Sequence, residues 1–294
     1  MQDFKQLKPA MSLDGQIQHL TEHHGLIISD PQVAKDILAK VNYYRLSGYG
    51  IGLLDKYTDR YISGTTIEDI YALYQFDAEL RNALSRIIEC VEIRFRTAIS
   101  YQLAMKYGAE CYCDRNNFTP WISGVTGKDM FDAFQEHISA AIRQQSKKPF
   151  VKHHIQIYGG HFPIWVIVEI ISLGSLSTLY SLMKRSDQNE VARQFGTKYV
   201  YMKSWFAAFV ELRNICAHYG RLYNMPLDST AKLPPNTGYA NNKLFTDCMA
   251  LRYIMCNTPE WSDFIKRLKD AIDSCPEVNL SFIGFPREWK QLLM

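Results

Sequence analysis

Apolar residues recur at helical spacing along most of the chain, and this spacing predicts a series of helices. The segment 29–31, Ser-Asp-Pro, is typical of a helix start, because capping side chains precede a proline in the first turn. The helix is predicted to run through Val33, Ile37 and Val41 towards Tyr44. A cluster of glycines at 48, 50 and 52 is then expected to break it.

A second stretch, from Thr66 to about Tyr107, contains neither Gly nor Pro. Thr66 and Asp69 have the spacing of a capping box, so a helix is predicted to begin there, as one long helix or two in line. The apolar residues that keep helical spacing are Ile67, Ile70, Tyr74, Leu80, Leu84, Ile87, Val91, Phe95 and Ile99.

Further helices are predicted over 127–146, 149–158, 163–184, 187–195, 199–222, 241–257 and 259–274. No strand alternation competes with them, so the predicted fold class is all-α, a helical bundle. The chain divides into an N-terminal helical segment (1–62), a helical core (63–225) and a C-terminal helical extension (226–294). No repeat or long linker separates them, so one compact unit is the simplest interpretation.

Two observations bear on location. The apolar stretch 163–183 has about the length of a membrane span, but it carries Glu169 and no second span can shield that carboxylate, which favours a buried helix. The seven cysteines are an odd number at scattered positions, and no signal peptide is visible at the N-terminus. We therefore expect a cytoplasmic protein without a membrane partner.

The charge balance limits the kind of nucleic-acid partner. Lys plus Arg number 33 against 30 Asp plus Glu, so the surface as a whole is no polycation and any nucleic-acid site must be local. Residues 137–168 contain no acidic residue, and Lys147, Lys148 and Lys152 within them are candidates for phosphate contacts. The alternative is a solvated turn between helices.

The segment 201–224 carries the candidate chemistry. On a helix, Trp205, Phe209, Leu212 and Cys216 fall within a narrow arc and are expected to face the core. The polar residues fall elsewhere: Asn214, His218 and Arg221 stack on the opposite face beside Glu211, with Arg213 on the flank.

A cation, an amide and an imidazole on one ridge suit phosphodiester chemistry. Cleaving RNA without a metal needs a base for the 2′-hydroxyl proton, an acid for the departing 5′-oxygen and a cation for the transition state. Histidine can take either proton role, and the planar donor fork of arginine matches phosphate oxygens. One histidine does not easily do both, so a second copy of the chain is expected to supply the other, which predicts a homodimer.

The string from Arg213 to His218 resembles the R-x4-H motif of HEPN-superfamily ribonucleases. The wider string 213–224 resembles more narrowly the Abi-like branch, the AbiD/AbiF abortive-infection proteins of bacteria. The other segments similar to that family are Lys8-Pro9, Gln16, 24–30, 41–49, 74–81, 88–97, 163–169 and 173–177. The resemblance spans about residues 8–225.

This resemblance implies a HEPN-type helical bundle, dimerisation with two R-x4-H motifs face to face, and metal-independent endoribonuclease activity that leaves a 2′,3′-cyclic phosphate. The resemblance also implies that Arg213 stabilises the phosphorane, that His218 transfers the proton and that Asn214 orients both side chains. Family members act in phage defence or as toxins, so RNA is the expected substrate, and an antitoxin, either a small RNA or a protein, is a candidate partner. A non-catalytic RNA- or nucleotide-binding module is the alternative.

Several residues have two interpretations. Arg221 and Asn224 either hold the turn after the helix, Arg221 by bonding its terminal carbonyls, or touch RNA. Glu211 either orients Arg213 or, as we favour, pairs with a neighbour on a solvated face. For the aromatic segment 42–49, packing against the core is favoured over stacking on bases.

The remaining charged residues suggest no further site. No cofactor and no metal site are predicted: His153, His154 and His161 have no accompanying carboxylate in the sequence, and adjacent histidines point to different helix faces. The arginines of the long stretch, Arg81, Arg86, Arg94 and Arg96, alternate with glutamates and are expected to form ion pairs on the helix face.

Overall fold

The computed structural model describes residues 7, 9–235, 237 and 241–294. Lys8, one of the residues carrying the family resemblance, lies outside them, as do residues 1–6 of the predicted N-terminal segment. The α-helices of the described residues, numbered α1 to α13 in chain order, are Leu13–Glu22, Pro31–Lys40, Tyr43–Gly50, Ile67–Tyr107, Met130–Gln144, Pro149–Ile157, Ile164–Ile170, Leu173–Leu182, Arg185–Gln194, Tyr199–Ala217, Leu244–Met255, Pro259–Asp273 and Trp289–Leu293. Short 3-10 helices, isolated β-bridges, turns and irregular segments make up the rest of the described residues, which contain no β-strand, so the all-α prediction is confirmed.

The long helix α4 is the centre of the fold, and α3, α7, α9, α10, α11 and α12 all pack against it. Its predicted start is confirmed: the Thr66 hydroxyl accepts the N–H of Asp69, and the Asp69 carboxylate accepts the N–H of Thr66. The predicted apolar stripe is buried except for the half-buried Tyr74. One uninterrupted helix forms, because the stretch lacks a breaking residue until Gly108, whose φ is +89°.

The helix pattern near the N-terminus is corrected in two places. The helix predicted to reach Tyr44 ends at Lys40, because Val41 is extended and the Asn42 side chain caps a new helix by accepting the N–H of Tyr44. Of the glycines expected to break the helix, Gly48 and Gly50 lie in α3 and Gly52 lies in the 3-10 helix that follows it. Gly48 and Gly52 admit close neighbours: a Cβ would lie 2.9 Å from Arg221 at position 48 and would clash with the Phe282 ring at position 52.

The apolar stretch predicted as one helix over 163–184 forms two, α7 and α8. The Ser172 hydroxyl accepts the N–H of Ser175 and so starts a second helix, while Ile171 is extended. Arg96 of α4 donates to the carbonyl of Ile171 at 2.9 Å, which satisfies an acceptor released at the break. None of the described helices combines the length and apolar character needed to cross a membrane.

Buried apolar side chains from all three predicted segments belong to one continuous core. Leu46 of α3, Leu84 of α4 and Phe264 of α12 are each at most 3% exposed. In α12, Trp261, Phe264 and Leu268 are buried and Ile272 is half-buried, so the apolar face of this helix covers the core within the chain. The domain boundaries at 62 and 225 stay predictions.

Candidate functional site

Helix α10 orients the candidate residues through its opposite, apolar face. Trp205, Phe209, Leu212 and Cys216 are all buried, as predicted, and the Trp205 indole N–H donates to the carbonyl of Lys232 at 2.8 Å. Burial raises the pKa of the Cys216 thiol to about 11, so it stays protonated at neutral pH. The core face therefore sets the rotation of α10 and offers no thiolate nucleophile at this position.

The polar residues of the motif are exposed in the last turn of α10 and at its C-cap. Arg213 Nη1 lies 3.4 Å from Asn214 Oδ1, a long hydrogen bond that links the cation to the amide. His218 is the C-cap residue, and its backbone N–H donates to the carbonyl of Asn214. Within the described part of the chain, the His218 ring has no hydrogen-bond partner and Arg213 forms no ion pair, so both are available to a ligand.

The helix ends earlier than the prediction of 199–222, at Ala217. Tyr219 has a φ of +56°, and the N–H of Gly220 donates to the carbonyl of Ile215 while that of Tyr219 donates to Cys216. These two bonds form a Schellman motif, in which the left-handed residue is usually glycine. Here that residue is Tyr219, and Gly220, which follows it, lies close to Ile215: a Cβ would be 3.1 Å from the isoleucine side chain.

A buried polar network holds the segment that follows the helix. Asp77 of α4 accepts the backbone N–H groups of Leu222 and Tyr223 and the hydroxyl of Tyr49, and it forms a buried ion pair with Arg81. Arg81 in turn donates to the carbonyl of Gly220 at 3.2 Å. Burial and the nearby carboxylate raise the pKa of Tyr49, which keeps its hydroxyl a donor. The position of the motif is thus fixed from α4.

Sequence reasoning missed this network, although the sequence holds a signal for it. Asp77 lies four residues after Leu73 and three before Leu80, a core position occupied by a carboxylate. The predicted ion pairs of the arginines are confirmed for Arg96, with Glu92. The prediction was wrong for Arg94, which donates to the carbonyl of Ile254 because it faces α11 rather than a glutamate.

Arg86 also forms an ion pair, although not within its own helix. Its partner is Asp263 of α12, with Nε 3.6 Å from the carboxylate. The pair therefore crosses between α4 and α12 instead of lying along one helix face.

Arg221 does not lie on the ridge of Asn214 and His218, because the helix has ended before it. Its Nη2 contacts the sulfur of Met225 at 3.0 Å and its guanidinium lies over the Tyr49 ring. In the described residues Arg221 makes no bond to the terminal carbonyls of α10, and the carbonyls of Tyr219 and Gly220, just beyond the helix, accept from Arg45 at 2.6 Å and from Arg81. A contact between Arg221 and RNA stays a prediction.

Two further residues hold the chain beyond the helix. Glu211 accepts the backbone N–H groups of Asp228 and Ser229, so it pairs with neighbouring backbone groups and does not orient Arg213. The reason is that the chain folds back beside α10 and offers unpaired N–H donors. Asn224 has a φ of +54°, which asparagine tolerates well, and this supports its role in the turn.

The three candidate lysines lie in a different part of the chain from the motif of α10. Lys147 and Lys148 are in the turn between α5 and α6, and Lys152 is in the first turns of α6. All three are exposed, and in the described residues none forms an ion pair or a hydrogen bond to the motif. Their contact with phosphate therefore stays a prediction.

The histidines near α6 have a carboxylate neighbour that the sequence pattern did not reveal. Glu110, far from them in the chain, lies 3.0 Å from His161 Nδ1, which corrects the statement that no carboxylate accompanies them. His153 and His154 project at nearly perpendicular ring angles. Among the described residues, no group of three or more His, Cys, Asp or Glu side chains is arranged to hold a metal ion.

The aromatic segment 42–49 divides between the core and the surface, and stacking of its exposed rings on bases stays a prediction. Tyr49 and Leu46 are buried in the core, as favoured, whereas the Tyr44 ring is 87% exposed. The exposed side of this segment and the chain after His218 both line an open cavity of about 740 Å³.

Comparison with known proteins gives one match. A family model described as Abi-like protein matches residues 36–224, which is well over half of the chain and includes the motif and the network beneath it. Neither the curated proteins nor the solved structures give a match.

Proposed function

Because the chain belongs to the Abi-like protein family, we propose that it is a metal-independent endoribonuclease of the HEPN type. Membership in this family suggests abortive infection, a defence of bacteria against phage, as its biological setting. One observation supports the activity most: Arg213, Asn214 and His218 are exposed together at the end of α10, on a backbone fixed by the Asp77 network.

The proposed reaction is an internal transesterification. One His218 takes the proton of the 2′-hydroxyl, the 2′-oxygen bonds to phosphorus, and the bond from phosphorus to the 5′-oxygen breaks. A second, protonated His218 gives its proton to the leaving 5′-oxygen. The products are a 2′,3′-cyclic phosphate and a 5′-hydroxyl, with no water consumed.

Arg213 supplies the charge stabilisation in this proposal. Its guanidinium places two N–H donors towards the equatorial oxygens of the phosphorane, where negative charge accumulates. Asn214 accepts a hydrogen bond from Arg213 and restricts its orientation. Arg213 forms no ion pair in the described part of the chain, so no carboxylate competes with the phosphate for its guanidinium.

The proposal includes a homodimer. Each chain contributes one histidine to the motif, and the reaction needs both a base and an acid, so two motifs must face one another across a two-fold axis. The proposal also includes a cytoplasmic location. All seven cysteines are free, which supports a reducing environment. An antitoxin, a small RNA or a protein, is the proposed means of keeping the enzyme silent.

The test is cleavage of single-stranded RNA in the presence of EDTA. Arg213→Ala and His218→Ala are each expected to lower the rate by at least about 100-fold. Arg287→Ala and His137→Ala are matched controls, because both side chains are exposed and lie outside α10. Mass spectrometry should find the cyclic phosphate end, and a substrate with 2′-O-methyl groups should stay intact.

Two outcomes contradict the proposal. Cleavage that survives in both motif variants, or that requires a divalent metal, excludes the mechanism. Binding of RNA without cleavage by the wild type favours the second function, a non-catalytic RNA-binding module.

A further inference from the structure

A cavity lies beside the motif, between α3 and the segment that follows α10. Its volume of about 740 Å³ is within the range of small-molecule sites and is large enough for a nucleotide. Tyr219, which directly follows His218 in the chain, is part of its wall. The cavity therefore borders the proposed catalytic residues.

Tyrosines form much of the wall. Tyr43, Tyr44, Tyr61 and Tyr219 line the cavity, and the rings of Tyr44 and Tyr219 are 87% and 70% exposed. Exposed aromatic rings of this kind are the surfaces on which proteins stack unpaired bases. Neither ring is needed to fill the core, since both remain largely in solvent.

The charge of the cavity is positive. Arg45 and Arg221 line it, and none of the described residues of the wall is acidic. Neither arginine forms an ion pair in the described part of the chain. Arg221 Nη1 is buried against Gly48 and has no hydrogen-bond partner in the described residues, so the guanidinium that lines the cavity keeps donors unmet by the protein. Such a group favours an anionic ligand.

Two anchors hold the arginines in place. Arg45 donates to the carbonyl of Tyr219 at 2.6 Å, and Arg221 lies against Gly48, where a Cβ would be 2.9 Å from Nη1. Glycine at position 48 therefore lets the guanidinium approach the backbone of α3. The site is preorganised, since its cations are positioned before any ligand arrives.

From this arrangement we infer that the cavity binds a nucleotide, with its base against Tyr44 and Tyr219 and its phosphate at Arg45 and Arg221. One ligand would be the nucleotide of the RNA substrate next to the cleaved bond, and in that form the inference rests on the proposed function. A free mononucleotide has the same chemistry, and the experiment separates the two sources.

The experiment measures binding without cleavage. Calorimetry follows the four 5′-mononucleotides, and fluorescence anisotropy follows a short 2′-O-methyl oligonucleotide that cannot undergo transesterification. The variants are Tyr44→Ala, in a helix where alanine is favourable, and Tyr219→Gly, at a positive φ that glycine adopts freely. Tyr57→Ala is the matched control, because this tyrosine lies nearby in the chain and is 97% exposed but does not line the cavity.

Each cavity variant should weaken oligonucleotide binding about ten-fold, with Tyr57→Ala unchanged and mononucleotides competing with the oligonucleotide. Mononucleotide binding that depends on the tyrosines, with oligonucleotide binding unaffected, supports the nucleotide site and identifies a free nucleotide as its source. Equal binding by all three variants in both measurements overturns the inference. Because the oligonucleotide is not cut, the result is independent of whether the protein proves to be a ribonuclease.

Discussion

Asp77 accepts the backbone N–H of Tyr223 at 2.8 Å, although 146 residues separate the two in the chain. The same carboxylate oxygen also accepts the N–H of Leu222. The long helix α4 thus fixes the backbone just beyond His218, and the core of the fold and the candidate site are joined by one side chain.

Replacing Asp77 should therefore damage both stability and activity. Asp77→Ala leaves Arg81 buried without its partner, and we expect a loss of about 3–5 kcal/mol in the free energy of unfolding. Chemical denaturation measures it, with Gln75→Ala, an exposed neighbour on α4, as the control. An unfolding midpoint equal to that of the control would show that the network is dispensable.

Because Tyr219 adopts a left-handed backbone conformation, we expect its replacement by glycine to give a more stable protein than its replacement by alanine. Tyr219→Gly and Tyr219→Ala both remove the ring, but only glycine adopts a φ of +56° without a steric cost. The glycine variant should exceed the alanine variant by about 1 kcal/mol in unfolding free energy. Equal denaturation midpoints for the two would contradict the strained C-terminal end of α10.

The features predicted well from the sequence are those set by local chemistry. The start of α4 follows from Thr66 and Asp69, and the buried face of α10 follows from the period of its apolar residues. The end of α10 was missed, because the residue in the left-handed conformation is a tyrosine and glycine comes one position later. A sequence pattern locates a helix end by the glycine that usually adopts the left-handed conformation, so it does not detect an end at which tyrosine adopts it.

The cavity could not be predicted for a different reason. Arg45 and Tyr219 are 174 residues apart, and their hydrogen bond depends on how α3 packs against the end of α10. The segment 42–49 was expected to pack against the core, yet a helix has two faces. Tyr49 enters the core and Tyr44 faces solvent, a division that only tertiary packing determines.

The candidate lysines make a prediction about salt. If Lys147, Lys148 and Lys152 each neutralise a phosphate, their joint replacement by alanine should reduce the slope of log affinity against log salt by roughly 2. Binding of single-stranded RNA at several salt concentrations measures the slope. A triple variant at Lys266, Lys269 and Lys290 is the control, and equal slopes for the two variants would assign the predicted patch to a solvated turn.

The composite site predicts that activity depends on concentration. A single protomer holds one His218, whereas the reaction needs a base and an acid, so cleavage per protomer should fall as the protein is diluted below the dimer dissociation constant. Sedimentation at the same concentrations should show dimers giving way to monomers. Full activity in a sample that contains only monomers would exclude a site shared between two chains.

A buried carboxyl in α11 predicts how stability varies with pH. Asp247 is fully buried, and this burial raises the pKa of its carboxyl to about 8. The N–H of Ala231, which Oδ1 accepts, opposes the rise, whereas Oδ2 has no hydrogen-bond partner in the described residues. The folded protein thus holds a proton that the unfolded chain, with the ordinary value of 3.8, releases. This contribution to stability is complete below about pH 4 and is lost as pH rises through about 8.

Asp247→Asn should remove that dependence, because the amide stays neutral at every pH and its oxygen can still accept the N–H of Ala231. Between pH 5 and 8, the unfolding free energy of the wild type should fall relative to the variant by about 1 kcal/mol per pH unit, near the limit of 1.4 kcal/mol for one proton. Denaturant titrations across this range measure the difference. Asp270→Asn, at an exposed carboxylate of α12, controls for the lost charge, and curves for Asp247→Asn and wild type that run parallel would mean that Asp247 is ionised in the fold.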